Sequence, residues 1–84
     1  MTHVLYFTAD WCNPCQRTMP IAEELKREGL IDFVFIDSDT EIELVEKFGI
    51  KSVPTYILLE DGFEVDRMSG AKTKQEFLKF ARVS

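Results

Sequence analysis

Hydrophobic positions in this chain fall into short blocks between polar turns, and the blocks switch between strand and helix spacing. Val4-Leu5-Tyr6-Phe7 is a continuous apolar run, long enough for a strand buried on both faces and too short for a helix. From Asn13 to about Glu28 the residues favour helix, with Met19, Ala22 and Leu25 three apart along one stripe. Gly29 stands where a left-handed residue ends a helix. Pro20 interrupts this helix, and it is expected to delete one hydrogen bond and bend the axis. Ile31 to Ile36 is a second, β-branched-rich strand. Thr40-Glu41-Ile42-Glu43 has the form of a capping box, opening a short helix with Val45 and Phe48 inward and Gly49 at its end. Tyr56 to Leu59 reads as a third strand, and Asp61-Gly62 as a hairpin turn into a fourth, Phe63 to Met68. Thr73-Lys74-Gln75-Glu76 is another capping box, starting a final helix with Phe77, Phe80 and Ala81 inward. Phe7, Phe33 and Phe35 complete the expected aromatic core.

The order is therefore β-α-β-α-β-β-α, an α/β fold. The strand–helix–strand unit gives a right-handed parallel pair and the hairpin adds antiparallel strands. The expected product is a four-stranded mixed sheet with helices on both faces, in one domain spanning residues 1–84. With 84 residues, 45% hydrophobic and 12% aromatic, the chain holds enough apolar material for one compact core and too much for disorder. The net charge of −5 argues against nucleic acid and anionic membrane surfaces as partners. Met1-Thr2-His3 leads straight into the apolar run, without a basic segment or a small-residue cleavage site. No apolar stretch approaches the ~18–20 residues of a membrane span. The expectation is a cytoplasmic monomer.

Chemistry concentrates in Trp11-Cys12-Asn13-Pro14-Cys15, which holds the chain's two cysteines. A zinc site needs four ligands, and His3, the sole histidine, sits at the far end of the first strand, so no metal is expected. The remaining readings are two inert core thiols and a redox pair, and the helix start favours the redox pair. Cys12 falls at a helix start, where unpaired N–H groups and the helix dipole favour a thiolate. It is the proposed nucleophile, and Cys15, one turn on, is the resolving thiol. Asn13 and Pro14 fill the first turn, where proline's missing N–H is no loss, and tune the pair. Trp11, beside the nucleophile, is expected at the surface, shielding the disulfide and contacting substrate. Asp10, Lys51 and His3 read as surface residues.

The element order with Trp-Cys-x-Pro-Cys after the first strand resembles the thioredoxin family. Phe48 to Thr55 is similar to the family segment that ends in a cis-proline beside the thiols. Pro20 matches its helix-bending proline, and Asp61-Gly62 and Gly70 match its hairpin turn and a substrate-facing glycine. The resemblance implies a thioredoxin-like fold and a thiol–disulfide oxidoreductase that reduces protein disulfides, with Trp11, Val53, Pro54 and Gly70 as the substrate-binding surface. A cis Pro54 would let the Val53 backbone pair with an extended peptide. The resemblance further implies protein disulfide substrates, with ribonucleotide reductase as one candidate, and electrons from a thioredoxin reductase with NADPH or from glutathione. It implies no bound cofactor. Two alternatives stand beside it: a glutaredoxin-like, glutathione-dependent reductase, and a binding module that uses the fold without its thiols. The chain departs from the family at two positions. Tyr6 stands where a buried aspartate is usual, and Phe35 where a lysine often accompanies it. Tyr6 is then either a core aromatic whose hydroxyl needs a partner, or a hydrogen-bonding residue for Cys15. A phenol titrating near ~10 is a poor base at neutral pH.

Overall fold

A computed structural model describes residues 1–83, so the last position of the expected 1–84 domain lies outside the described residues. The seven expected elements form in the expected order. They are β1 (Thr2–Thr8), α1 (Asn13–Arg27), β2 (Phe33–Asp37), α2 (Ile42–Phe48), β3 (Thr55–Glu60), β4 (Phe63–Ser69) and α3 (Lys74–Phe80). The sheet order is β2-β1-β3-β4. β1 runs parallel to β2 and antiparallel to β3, and β3 pairs antiparallel with β4. The apolar run in β1 is buried on both faces because this strand is central and flanked above and below. Val4 and Tyr6 face one side, where Phe33, Tyr56 and Leu58 meet Ala22 and Leu25 of α1 and Phe77 and Phe80 of α3. Leu5 and Phe7 face the other, with Ile36 and Ile57, against Leu44, Val45 and Phe48 of α2. The side-chain period of two thus divides one strand between two cores.

Helix ends follow local chemistry, with one exception. Gly29 takes φ +74°, and the Leu30 and Gly29 amides bond back to the Leu25 and Lys26 carbonyls, the paired closure that ends a helix on a left-handed residue. The Thr73–Glu76 capping box forms with both of its hydrogen bonds. The box expected at Thr40 does not form. α2 begins at Ile42 with Glu41 as its cap and no side-chain bond there. The turn led by Asp37 claims this segment instead: its carbonyl accepts from Thr40 Oγ1 and from the Thr40 and Glu41 amides. α1 runs through Pro20 to Arg27 without ending. Its buried stripe is Cys15, Thr18, Ala22 and Leu25; Met19, expected on it, lies beside it and is half-buried.

α3 closes in the same way as α1, but with Arg82 in the left-handed position at φ 60°. A side chain there costs about 1–2 kcal/mol relative to glycine, while the exposed ion pair of Arg82 with Glu60 at 3.7 Å contributes at most about 1 kcal/mol. The added freedom of the unfolded chain with glycine costs a further ~0.4–1 kcal/mol, so the three contributions nearly cancel. Arg82→Gly is therefore expected to leave stability within about 1 kcal/mol of wild type, read as a urea midpoint little changed at an unchanged slope.

Candidate active site

Strand register assembles this site at one end of the sheet. Phe7 pairs with Thr55 and Thr8 with Asp37, so the loops that follow β1 and β2 and the loop that precedes β3 converge there. Thr55 also pairs with Ser69, which brings Gly70 alongside; its N–H donates to the Pro54 carbonyl at 3.0 Å. After Thr8 the chain turns sharply, the Cys12 amide bonding to the Ala9 carbonyl at 3.2 Å, and Gln16 Nε2 donates to the same oxygen at 3.0 Å. Cys12 is the residue capping α1, in extended conformation, with its Sγ accepting from the Cys15 amide at 3.2 Å. A sulfur thus occupies the place usually taken by a serine or aspartate oxygen. Pro14 stands in the first turn, no acidic residue stands there, and Lys26 and Arg27 occupy the last turn. Negative charge on the Cys12 sulfur is favoured by this end of the helix and opposed by nothing in its first turn.

Cys12 and Cys15 are joined as a disulfide. Cys12 is 4% exposed and Cys15 fully buried, so approach to the pair from solvent is through Cys12. Both pack with Ala9 and Val53, and the Val53 carbonyl oxygen lies 3.6 Å from Cys12 Sγ. The Val53–Pro54 peptide is cis. Trp11 is 70% exposed, and its Nε1 donates to Asp39 Oδ2 at 3.0 Å, which holds the indole beside the pair rather than in the core. A cleft of about 170 Å³ opens between Trp11, Ser38, Val45, Ile50, Lys51 and Val53. A larger hollow of about 560 Å³ lies between β2 and α2 and includes neither cysteine nor any of their packing neighbours. Asn13 is exposed and Pro14 half-buried.

Behind the pair, Tyr6 is fully buried and its hydroxyl donates to the Cys15 carbonyl at 2.8 Å. Of the two roles open for Tyr6, the geometry gives a hydrogen bond to the cysteine's backbone, not to its thiol. Tyr6 packs edge-on against its cross-strand partner Tyr56, the centroids 4.7 Å apart, and against Phe35 at 5.7 Å. The Tyr56 hydroxyl is buried; Thr18 and Tyr6 lie near enough to influence its ionisation, yet among the described residues it has no partner at hydrogen-bond geometry. Burial, and then the neighbouring Tyr56, push the Tyr6 phenol well above its ordinary value, and burial pushes Tyr56 up as well. Asp10 and Lys51 are exposed, and His3, at the opposite end of β1, meets Asp32 at 2.7 Å.

Sequence reasoning placed Trp11, Cys12, Cys15, Val53, Pro54 and Gly70 together, and the structure brings them together. It missed Asp39, Gln16, Thr18 and Tyr56. Asp39 carried one usable signal: an acid just past the carboxyl end of a strand parallel to β1, where open α/β sheets gather their sites.

The thioredoxin family model matches residues 1–83. Thioredoxin from Chlamydia muridarum is 39% identical over 74 residues, covering 87% of this chain and 72% of its own. Thioredoxin from Mycobacterium tuberculosis is 40% identical over 75 residues, with 87% and 65% covered. Among solved structures, thioredoxin from Fasciola hepatica superposes with a TM-score of 0.89 at 33% identity, over 99% of this chain and 81% of that one. A mutant thioredoxin from Halobacterium salinarum gives 0.90 at 30% identity, over 96% and 72%.

The tyrosine pair has a direct consequence at alkaline pH. The folded phenols ionise above the unfolded value near ~10, so the stability they contribute is complete below ~10 and is lost as pH rises toward their folded values. Unfolding free energy is expected to fall above pH ~10 by up to about 1.4 kcal/mol per pH unit for each tyrosine. Urea titrations from pH ~9 to ~11 should show this slope reduced in Tyr6→Phe and in Tyr56→Phe; equal slopes in all three proteins would count against buried, protonated phenols.

Proposed function

This chain belongs to the thioredoxin family, and on that premise we propose that Cys12 attacks substrate disulfides and Cys15 resolves the product. The family and its Cys-x-x-Cys pair make the chain a thiol–disulfide oxidoreductase. The observation that carries the division of roles is the difference between the sulfurs: Cys12 caps a helix N-terminus and keeps a small exposed area, 4%, while Cys15 is fully buried. In the reduced protein the Cys12 thiolate attacks one sulfur of a substrate disulfide and the other leaves. Cys15 then attacks Cys12 in the mixed disulfide, which restores the Cys12–Cys15 bond and releases the second substrate sulfur. Two electrons pass to the substrate.

Trp11, Val53, Pro54 and Gly70 form the proposed substrate surface. An extended peptide laid along Val53 can use its backbone as a strand edge, with the cleft beside Trp11 open to a flanking side chain. Asn13, Pro14 and Tyr6 are the tuning residues. Proteins with disulfides are the substrates, ribonucleotide reductase one candidate, and a reductase is the partner that restores the dithiol. A thioredoxin reductase drawing on NADPH suits this family; glutathione would mark the glutaredoxin-like alternative, which none of the relatives described favours. A reducing compartment such as the cytoplasm suits a catalytic rather than structural disulfide. Among the described residues no helix is long and apolar enough to cross a membrane. We read the chain as one monomeric domain.

Cys12→Ser is expected to abolish disulfide reduction, and Cys15→Ser to accumulate covalent mixed disulfides with protein substrates, visible as thiol-sensitive bands on non-reducing gels. A Cys15→Ser protein that forms no adduct, while the wild type stays active, would overturn the roles. Coupling the oxidised protein to NADPH through a thioredoxin reductase, against glutathione through its own reductase, identifies the electron source by which assay consumes NADPH faster. A binding module would instead retain full biological function when both cysteines are replaced by serine.

A further inference from the structure

We propose that Tyr6 is a positioning residue for Cys15 and that the Cys15 proton leaves toward the substrate, onto the departing sulfur. This rests on the roles assigned above to Cys12 and Cys15. The reason lies in what encloses Cys15. Behind it stands Tyr6 from β1, whose hydroxyl donates to the Cys15 carbonyl; Tyr6 is grouped in turn with Tyr56 from β3 and Thr18 from the next turn of α1, and all three are buried. Among the described residues the buried polar side chains, tyrosines aside, are Thr18 and Thr55, so no carboxylate, ammonium or imidazole is buried there. From β2, Phe33 and Phe35 pack on Tyr6, and from α3, Phe77 packs on Tyr56 at 5.0 Å.

Ionisable groups reach this wall only from its rim. Glu23 on α1 is near enough to oppose ionisation of Tyr6, but it is exposed and lies eight residues beyond Cys15, roughly 12 Å along the helix. Lys26 is turned away, donating to the Phe33 carbonyl at 2.7 Å and lying over the Phe35 ring. The phenols stay protonated across the working range, as their burial requires. The Tyr6 proton is committed to the Cys15 carbonyl, which fixes the backbone that carries the sulfur. A hydroxyl wall of this kind can hold Cys15 in place and cannot take its proton.

At the front, Cys15 packs against Ala9, Val53 and Cys12, and in the mixed disulfide Cys12 carries the substrate sulfur. The resolving step then balances without an internal base. A bond forms between Cys15 Sγ and Cys12 Sγ, the bond from Cys12 to the substrate sulfur breaks with its electron pair on that sulfur, and that sulfur takes the Cys15 proton. The protein dithiol is oxidised by two electrons and the substrate disulfide is reduced by two. In the reverse direction, a thiol attacking the oxidised pair at Cys12 delivers its own proton to Cys15.

That reverse step gives the test. Oxidised protein is mixed with 2-mercaptoethanol in a stopped-flow instrument, and reduction is followed by the fluorescence of Trp11, the sole tryptophan. Rate constants are divided by the fraction of 2-mercaptoethanol present as protonated thiol, the form that carries the proton Cys15 receives. The corrected rate is expected to be flat between pH ~6 and ~9.5, a range that spans ordinary thiol ionisation. Tyr6→Phe should keep the flat profile and lower the rate about 2- to 10-fold, the worth of one hydrogen bond. A wild-type profile that rises about tenfold per pH unit, as thiolate attack without proton delivery would give, or one that bends, overturns the frontal proton exit; loss of a bend in Glu23→Gln would assign the base to Glu23. A Tyr6→Phe rate equal to wild type at every pH overturns the positioning role. Failure of the underlying functional reading looks different: no reduction of the pair by thiol at any pH.

Discussion

Everything at the thiols depends on how β1 is paired. As the central strand it is hydrogen-bonded on both sides, and its last residues fix three other segments at once. Thr8 opposite Asp37 delivers the turn that carries Asp39 to Trp11, and Phe7 opposite Thr55 delivers Val53 and Pro54 to Cys12. Thr55 opposite Ser69 extends the row to Gly70. A one-residue slip would exchange the two cores of β1, placing Tyr6 against α2 and Phe7 against α1 and α3. Such a slip would take the phenol away from Cys15. The burial of four successive apolar residues in β1 therefore holds the active-site register as well as the fold.

Most of this was legible in the sequence because its signals were local and strong. Apolar runs of strand length, Asp61-Gly62, Gly29 and the Thr73–Glu76 box each state a conformation through their own chemistry, and each formed. Thr40-Glu41-Ile42-Glu43 states one too and did not form, because the Asp37 carbonyl lay within reach of the Thr40 hydroxyl and of the Thr40 and Glu41 amides. A capping pattern shows what a threonine can bond to and is silent about competing acceptors from an adjacent turn. Met19 packs against the core with Ala22 and Leu25 as expected, but at its edge and half-buried. Spacing by three fits several stripes on a helix, and the choice falls to the sheet, which takes Cys15, Thr18, Ala22 and Leu25.

The site's rear wall was legible only in part. Tyr6 stood out because of where it sits relative to Cys12, but its cross-strand partner follows from the β1–β3 register, which no local pattern encodes. Tyr56 read as the start of an ordinary strand. Only pairing sets it against Tyr6 and shows that two phenols and Thr18 form one neutral cluster. The partner of the Tyr6 hydroxyl was likewise open, and the Cys15 carbonyl became visible as its acceptor only once helix α1 was placed over it.

In the proposed mechanism the two cysteines are separated by function through two different physical means. Cys12 is distinguished electrostatically, because its sulfur takes the capping position where helix N–H groups point. Cys15 is distinguished by access, since a substrate sulfur reaches it only through Cys12. Electrostatics decides which sulfur attacks, and burial ensures that the second acts only after the first has formed its bond. With no buried carboxylate, ammonium or imidazole among the described residues, the proposed route for the proton of the second sulfur is the one its electrons take. Proton and electron pair then travel toward the same substrate atom, which ties release of the reduced product to closure of the disulfide.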